Sequence, residues 1–446
     1  MHDFDAETEA LARAILDHVE ARIAEPVPLD QSVPPAVLDE RAGGTITSSG
    51  LGWNEALRIW SEVLAPATIS IDHPAFLAFI PGAPTKASIL FDLAISASST
   101  YAGTWLEGGG AVWAENQALR WIADLASLPE GAGGCFVSGG TNGNLSALVA
   151  ARHTAASRRG GRPDRWALAC ADTAHSSVAS AANVMDVDVV SVATGADGRL
   201  TGDALKAAID DPERLFAVVA SAGSTNGGIV DDLSGVADVC GDLGIWLHVD
   251  GAYGGAALAA PSVRPKFNGI ERADSFIVDP HKWLYAPFDA CALLYRDPAL
   301  ARAAHNQQAS YLESLNLIGE WNPSDYAHHL TRRARGLPLW FSLATSGTDA
   351  YREAIESVLS LAREAAEEIR RTDGLELLLD PDLTVLLFRR NGWSRDDYEA
   401  WWRRLLDDQV AFVQPTTWRG ERVARLCFVN PRTTMEHVRA ILATMA

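Results

Sequence analysis

The sequence predicts an α/β fold: a large, mostly parallel, seven-stranded sheet covered by helices on both faces, followed by a small C-terminal α+β domain. Between residues 135 and 296, short apolar runs alternate with helical patterns, and the runs are apolar almost throughout, as strands covered on both faces must be. Beyond residue 345 the order changes to one long helix, paired strands, a helix, two more strands and a last helix, which marks segregated α+β structure. With 446 residues and 48% hydrophobic side chains, the chain can bury cores for both parts.

Residues 1–75 are helical and interrupted by prolines, and they lack the apolar content for a core of their own. This segment is expected to pack on a partner subunit or on the large domain. Its opening, "MHDFDAETEALARAILDHVEARIAEP", is an acidic amphipathic helix without the basic head and apolar middle of a signal peptide. Residues 76–345 form the expected large domain, with strands at "CFVS", "WALACAD", "DVVSVAT", "LFAVVASAG", "IWLHVD", "SFIVD" and "ALLYRD". Helices are expected at "TNGNLSALVAARHTAA", "GDALKAAI" and "DLSGVADVCGDLG", the last closed by Gly244 as a left-handed cap. In residues 346–446, "DAYREAIESVLSLAREAAEEIRR" is the long helix, and "LELLL", "TVLLFRR", "VAFVQ" and "VARLCFV" are the expected strands.

A formal charge of −20 opposes binding to nucleic acid or to an anionic membrane surface. No stretch approaches the roughly 20 apolar residues of a membrane span. Five scattered cysteines without a CxxC pair suit a reducing compartment and predict neither disulfides nor zinc. The expectation is a soluble, cytoplasmic protein.

The chemistry-bearing residues fall at strand ends. "VSGGTNGNLSALVAAR" places Gly140 and Thr141 where a strand gives way to a helix, and free N–H groups there with glycine backbone suit a phosphate or tight packing alone. "WLHVDGAYGG" ends a buried strand at Asp250, with Ala252 beyond it; this acid can hold a ligand or merely cap a turn. His175 in "DTAHSSV" and Lys282 in "IVDPHKWLYAPFD" follow two further runs. A phosphate cradle, a buried acid, a flat imidazole and a desolvated lysine on one rim are together the requirements of pyridoxal phosphate chemistry. In that chemistry burial is expected to lower the lysine pKa so that the amine reacts.

The motifs "SGGTNGNLSAL", "DTAHSSV", "SAGSTNGGIVDDL", "HVDGAYGG" and "DSFIVDPHKW", in this order, closely resemble the group II pyridoxal-phosphate-dependent amino-acid decarboxylases, from residue 73 to about residue 434. The resemblance implies the aspartate-aminotransferase-like fold (fold type I) and a homodimer with shared active sites. It makes Lys282 the cofactor's Schiff-base lysine and Asp250 the partner of the pyridine nitrogen. His175 and Ala252 would lie on the two ring faces, Gly140, Thr141 and His281 would hold the phosphate, and Thr225 would lie near Asp250. Tyr311 matches a tyrosine on a mobile loop that donates the proton to Cα, which favours an amine product over an aldehyde.

For the substrate, the resemblance points to an L-amino acid, with an aromatic one leading and acidic or basic ones as alternatives. Phe79, Ile80 and Trp105 would line its pocket. Gly347 matches a position at which aromatic decarboxylases carry glycine. Gly103 would leave the pocket roomy, Gly82 and Gly108–Gly110 depart from the usual carboxylate-binding pattern, and Glu107 would select a cationic or hydroxylated side chain. An aldehyde synthase and a cofactor-binding regulator without turnover are the competing readings.

Overall fold

The computed structural model describes residues 2–24, 26–306 and 320–445. The seven runs between residues 133 and 295 form one sheet. Its strands are β1 (Gly133–Val137), β2 (Ala167–Ala171), β3 (Asp188–Val192), β4 (Leu215–Ser221), β5 (Trp246–Asp250), β6 (Ser275–Val278) and β7 (Cys291–Tyr295), in the spatial order β1-β7-β6-β5-β4-β2-β3. β3, β2, β4, β5 and β6 pair in parallel, and β7 runs antiparallel to both β6 and β1. Every residue of β2, β4, β5, β6 and β7 is buried, which is why these runs read as unbroken apolar stretches. The edge strand β3 alternates between covered and exposed residues instead.

Helices Gly140–Arg159, Ser176–Met185, Gly202–Ala208 and Leu233–Leu243 make the crossovers between β1 and β5. The first and last end on left-handed glycines, Gly160 at φ 67° and Gly244 at φ 64°. Ser221 of β4, Asp250 of β5 and Ile277 of β6 stand in register, so the C-terminal ends of the central strands form a level rim.

A second, antiparallel sheet contains β8 (Leu375–Leu377), β9 (Val385–Arg390), β10 (Thr416–Trp418) and β11 (Glu421–Cys427) in the order β10-β11-β9-β8. One expected strand is corrected. "VAFVQ" makes only a bridge in which Phe412 exchanges main-chain bonds with Ala75 and Leu77, and the strand that pairs with β11 begins at Thr416. The apolar run is buried against residues 75–77 rather than in a ladder, and burial alone does not distinguish the two. The long helix starts earlier than expected, at Leu337, and continues to Arg371 through a break at Gly347 (φ 78°, ψ 159°). Trp283 is fully buried and stacks on Tyr253, whose hydroxyl bonds Thr384 beside β9, so the two sheets are tied directly below the rim.

The N-terminal helices Ala6–Ala24 and Pro35–Ala42 bury no residue, as expected of a segment without its own core. Arg22 anchors the first of them to Asp72 at 2.6 Å.

Arg332 and Glu115, 0% and 2% exposed, form a bidentate pair at 2.8 and 3.0 Å. Arg332 also donates to the carbonyls of Ala102 and Phe136, and Glu115 accepts from the N–H of Gly336. The pair therefore joins the turn before helix Trp105–Leu125, strand β1 and the start of the long helix. Removing one charge strands the other in the interior, so Glu115→Ala is expected to destabilise the fold by about 3–5 kcal/mol. Chemical denaturation with both variants is the check, and Arg332→Ala should cost a similar amount.

Candidate active site

Of the predicted residues, Gly140, Thr141, His175, Thr225, Asp250, Ala252, His281 and Lys282 all line one cavity of about 310 Å³ on the rim. The strand order explains the convergence. Asp250 ends β5, and Gly251 and Ala252 are tied to the neighbouring strand β6 and its continuation: Gly251 donates to the Ile277 carbonyl at 3.0 Å, and Asp279 N–H donates to that of Ala252 at 3.0 Å. Past β6 the turn Asp279-Pro280-His281-Lys282 closes when Lys282 N–H donates to the Asp279 carbonyl at 3.0 Å. The amine of Lys282 thus enters the cavity that the Asp250 carboxylate lines.

Asp250 is 9% exposed, and both its oxygens are held. Oδ1 accepts from Ala252 N–H at 3.1 Å and Oδ2 from the Asn144 amide at 2.9 Å. Gly140 opens helix Gly140–Arg159, where the first N–H groups have no intrahelical acceptor. A Cβ on Gly140 would lie 3.2 Å from both the Ala252 methyl and Asp279 Oδ2, so the turn is packed closely against the site and a side chain there would have to displace its neighbours by a few tenths of an ångström. His281 Nδ1 sits between the carbonyl and N–H of Ala290, at 2.7 and 3.1 Å. Burial pushes the His281 pKa down, against the pull of Asp279. Arg425, buried in β11, donates to the Thr225 carbonyl at 2.6 Å and so holds the loop bearing Thr225.

The sequence reading missed Asp279. It is 1% exposed, and its Oδ2 lies 2.7 Å from Lys282 Nζ. This changes the electrostatics expected of the lysine. Burial does press the Lys282 pKa down, but the charge and hydrogen bond of Asp279, followed by Asp250 and Cys291, outweigh it, so the net shift is upward and the amine is held protonated. The signal was an acid three residues before the lysine in "DPHK", the shortest spacing at which a turn brings two side chains together.

The four predicted pocket residues do not join this cavity in the same chain. Phe79 is exposed and meets the Phe412 ring edge-on at 6.0 Å. Ile80 packs on the main core. Trp105 begins a helix, its N–H bound to Asn322 at 2.9 Å, and Gly347 lies exposed at the break in the long helix. A further expectation is corrected. The room expected beside Gly103 is filled by Tyr101, whose hydroxyl would lie 2.2 Å from an added Cβ. Glu107 is exposed in the first turn of the helix that Thr104 caps, and it accepts from Thr104 Oγ1 at 2.9 Å. Gly82 meets the His281 carbonyl so closely, 2.7 Å from a notional Cβ, that a threonine there would force a shift. Tyr311 lies outside the described residues.

Comparison with known proteins agrees with this geometry. A family model described as the pyridoxal-dependent decarboxylase conserved domain matches residues 46–391. The chain belongs to this family. It is 30% identical over 444 residues to an aromatic-L-amino-acid decarboxylase of Bacillus atrophaeus, covering 96% of this chain and 92% of the relative. An L-2,4-diaminobutyrate decarboxylase of Acinetobacter baumannii is 28% identical over 431 residues, covering 89% of this chain and 84% of the relative. Among solved structures, that of Oryza sativa TDC with PLP and tryptamine superposes with a TM-score of 0.92 at 27% identity, covering 100% of this chain and 99% of that one. The family cofactor is pyridoxal phosphate, and the buried acid, the lysine and the open helix N-terminus around one cavity fit it.

Among the described residues no helix is long and apolar enough to cross a membrane, and no cluster of side chains suits a metal ion. All five cysteines are buried and unpaired.

Buried His248, under Asp250, adds a pH dependence. Burial lowers its pKa from 6.5 to about 4, while the charge of Asp250 pulls the other way. A histidine that the fold keeps neutral contributes stability above the unfolded pKa and loses it as pH falls through 6.5 toward 4. The melting temperature is therefore expected to fall between pH 7 and pH 5, and His248→Gln should flatten part of that slope in a thermal-melt series.

Proposed function

We propose that the protein is a homodimeric decarboxylase of an aromatic L-amino acid, releasing CO2 and the amine. The observation that carries this reading is that Lys282 and Asp250 line one cavity at the ends of adjacent strands, with the N-terminus of a helix opening on it. Pyridoxal phosphate, when bound, supplies a conjugated ring that accepts the electrons of the bond to the departing carboxylate.

The chain's own groups take complementary parts. Lys282 would hold the cofactor covalently, with Asp279 as the counter-charge that keeps a proton on Nζ whenever that amine is free. Asp250, fixed at both oxygens, would keep a proton on the ring nitrogen. Gly140, Thr141 and His281 would bind the phosphate, and His175 and Ala252 would confine the ring between them. Tyr311 would return the proton to Cα. The aromatic preference draws on the Bacillus relative and on the rice structure with tryptamine.

A second copy completes the site. Leu90, Leu93, Leu106 and Trp113 are between 37% and 59% exposed, a run of large apolar surface on two helices that a partner would cover. In that arrangement Phe79, Ile80, Trp105 and Gly347 face the partner's cavity rather than their own. Sedimentation is expected to give twice the 47.8 kDa of one chain, and a monomer would overturn the dimer. The acidic charge and the unpaired thiols support a cytoplasmic protein that does not bind nucleic acid. The break at Gly347 supports a division of the chain near residue 345.

A substrate panel tests the reading. Amine and CO2 from tryptophan, phenylalanine or tyrosine are expected to exceed those from glutamate, ornithine and 2,4-diaminobutyrate by at least about tenfold in kcat/KM, a difference of about 1.4 kcal/mol in transition-state binding. A preference for diaminobutyrate would reassign the substrate. Aldehyde as the main product would remove the role given to Tyr311.

A further inference from the structure

Beneath the cavity a chain of hydrogen-bonded polar side chains runs from buried Trp246 to exposed His175, and its protons can be placed from the two ends. An ionised carboxylate only accepts, so the Asn144 atom 2.9 Å from Asp250 Oδ2 is the amide nitrogen, whose second N–H reaches Ser177 Oγ at 2.9 Å. Asn144 Oδ1 therefore faces His248 Nε2, at 2.7 Å, and that nitrogen must carry a proton. At the other end Trp246 Nε1 can only donate, and it does so to Ser275 Oγ at 2.8 Å. The Ser275 proton is thus free to point at His248 Nδ1, 2.8 Å away. Both ends dictate the same direction. Beyond Asn144, Ser177 passes its hydroxyl proton to His175 Nδ1 at 2.8 Å, and the Ser177 backbone N–H donates to the same nitrogen at 3.2 Å.

His248, Asn144, Ser275, Ser177 and Trp246 are each at most 3% exposed, so the bonds among these five are shielded from water. We propose that His248 is a positioning residue for the reaction. By donating to Asn144 it prevents the amide from turning over, so that one N–H holds the Asp250 carboxylate while the other, through Ser177, sets His175 with Nδ1 as acceptor and Nε2 as the proton-bearing nitrogen. A single imidazole that touches neither substrate nor cofactor thereby orients the groups assigned to the ring nitrogen and to one ring face. Were the amide to turn over, its oxygen would oppose Asp250 and would draw the Ser177 hydroxyl proton away from His175, leaving His175 Nδ1 held by the Ser177 backbone N–H alone. This inference rests on the proposed roles of Asp250 and His175.

The test reads cofactor affinity, which needs no knowledge of the substrate. Pyridoxal phosphate is removed from the purified dimer and titrated back, and its Kd is measured from the visible absorbance. His248→Leu leaves the Asn144 amide without its donor and is expected to raise Kd about 10- to 100-fold. His248→Gln, which keeps an N–H donor in reach of Asn144, should stay within about threefold of the unaltered protein, and that rescue separates positioning from bulk packing. Asn144→Asp, nearly identical in size, sets an oxygen against Asp250 as a turned amide would, serves as the second variant should the leucine variant be lost, and is expected to show a loss as large. His248→Leu or Asn144→Asp with Kd within about twofold of the unaltered protein would overturn the inference, even with a lowered melting temperature. A His248→Gln loss as large as that of His248→Leu would overturn it too. Should the unaltered protein itself take up no pyridoxal phosphate, the proposed function falls, and this inference with it; failure in the variants alone leaves that function standing.

Discussion

Lys282→Ala is expected to abolish covalent attachment of pyridoxal phosphate, to eliminate the visible absorption of the purified protein, and to reduce turnover by about four orders of magnitude or more. The size of the effect follows from the geometry. Lys282 is the lysine of the cavity; the others in the chain are Lys86, Lys206 and Lys266, of which the first two are exposed and the third is bound to Asp382 at 2.6 Å. None is placed to substitute for it. The variant has a second consequence, because Asp279 would keep its charge, 1% exposed, without the ammonium that neutralises it. Stability should therefore fall as well, and the double change Lys282→Ala with Asp279→Asn is expected to recover part of it. Absorbance spectra and chemical denaturation of the three proteins check both statements. A persistent visible band in Lys282→Ala would show that another lysine carries the cofactor.

Asp250→Asn has the next largest expected effect, on the order of a 10²- to 10³-fold loss in kcat, the scale on which removal of one preorganised electrostatic partner acts. The substitution keeps size and shape, and Ala252 N–H can still donate to the remaining amide oxygen, so the fold should survive. What would be lost is the negative charge proposed to keep the ring nitrogen protonated and the ring able to accept electrons. Cofactor should still bind through Lys282. The expected signature is thus a protein that retains its visible band yet turns over slowly, and near-normal turnover would contradict the role given to Asp250.

Most of the fold was legible because burial on both faces of a sheet writes itself into the sequence as unbroken apolar runs, and all seven such runs between residues 133 and 295 became strands of one sheet. The run at 410–414 misled for the same reason, since a segment buried against residues 75–77 carries the same apolar signature as a strand. In the site, the residues at strand ends were legible because the C-terminal edge of a parallel sheet gathers polar groups that have no structural reason to follow an apolar run. Asn144 and His248, by contrast, meet across 104 positions, and no local pattern reports such a contact. Asp279 stands three residues before the lysine yet was not weighed, and with it the direction of the lysine's pKa shift was misjudged: burial alone lowers it, whereas the two acids reverse it. Phe79, Trp105 and Gly347 were out of reach for another reason. They lie away from the Lys282 cavity of their own chain, and under the proposed dimer their pocket would be built by two copies, which leaves no expression in the fold of one.

The measurement closest to the centre of this account is borohydride reduction of the cofactor-loaded protein followed by mass mapping of its peptides. The chain has few lysines, so the assignment is unambiguous. The reduced pyridoxyl group is expected on the peptide containing "VDPHKWLY", at Lys282; its appearance on Lys86, Lys206 or Lys266, or its absence from every peptide, would contradict the account.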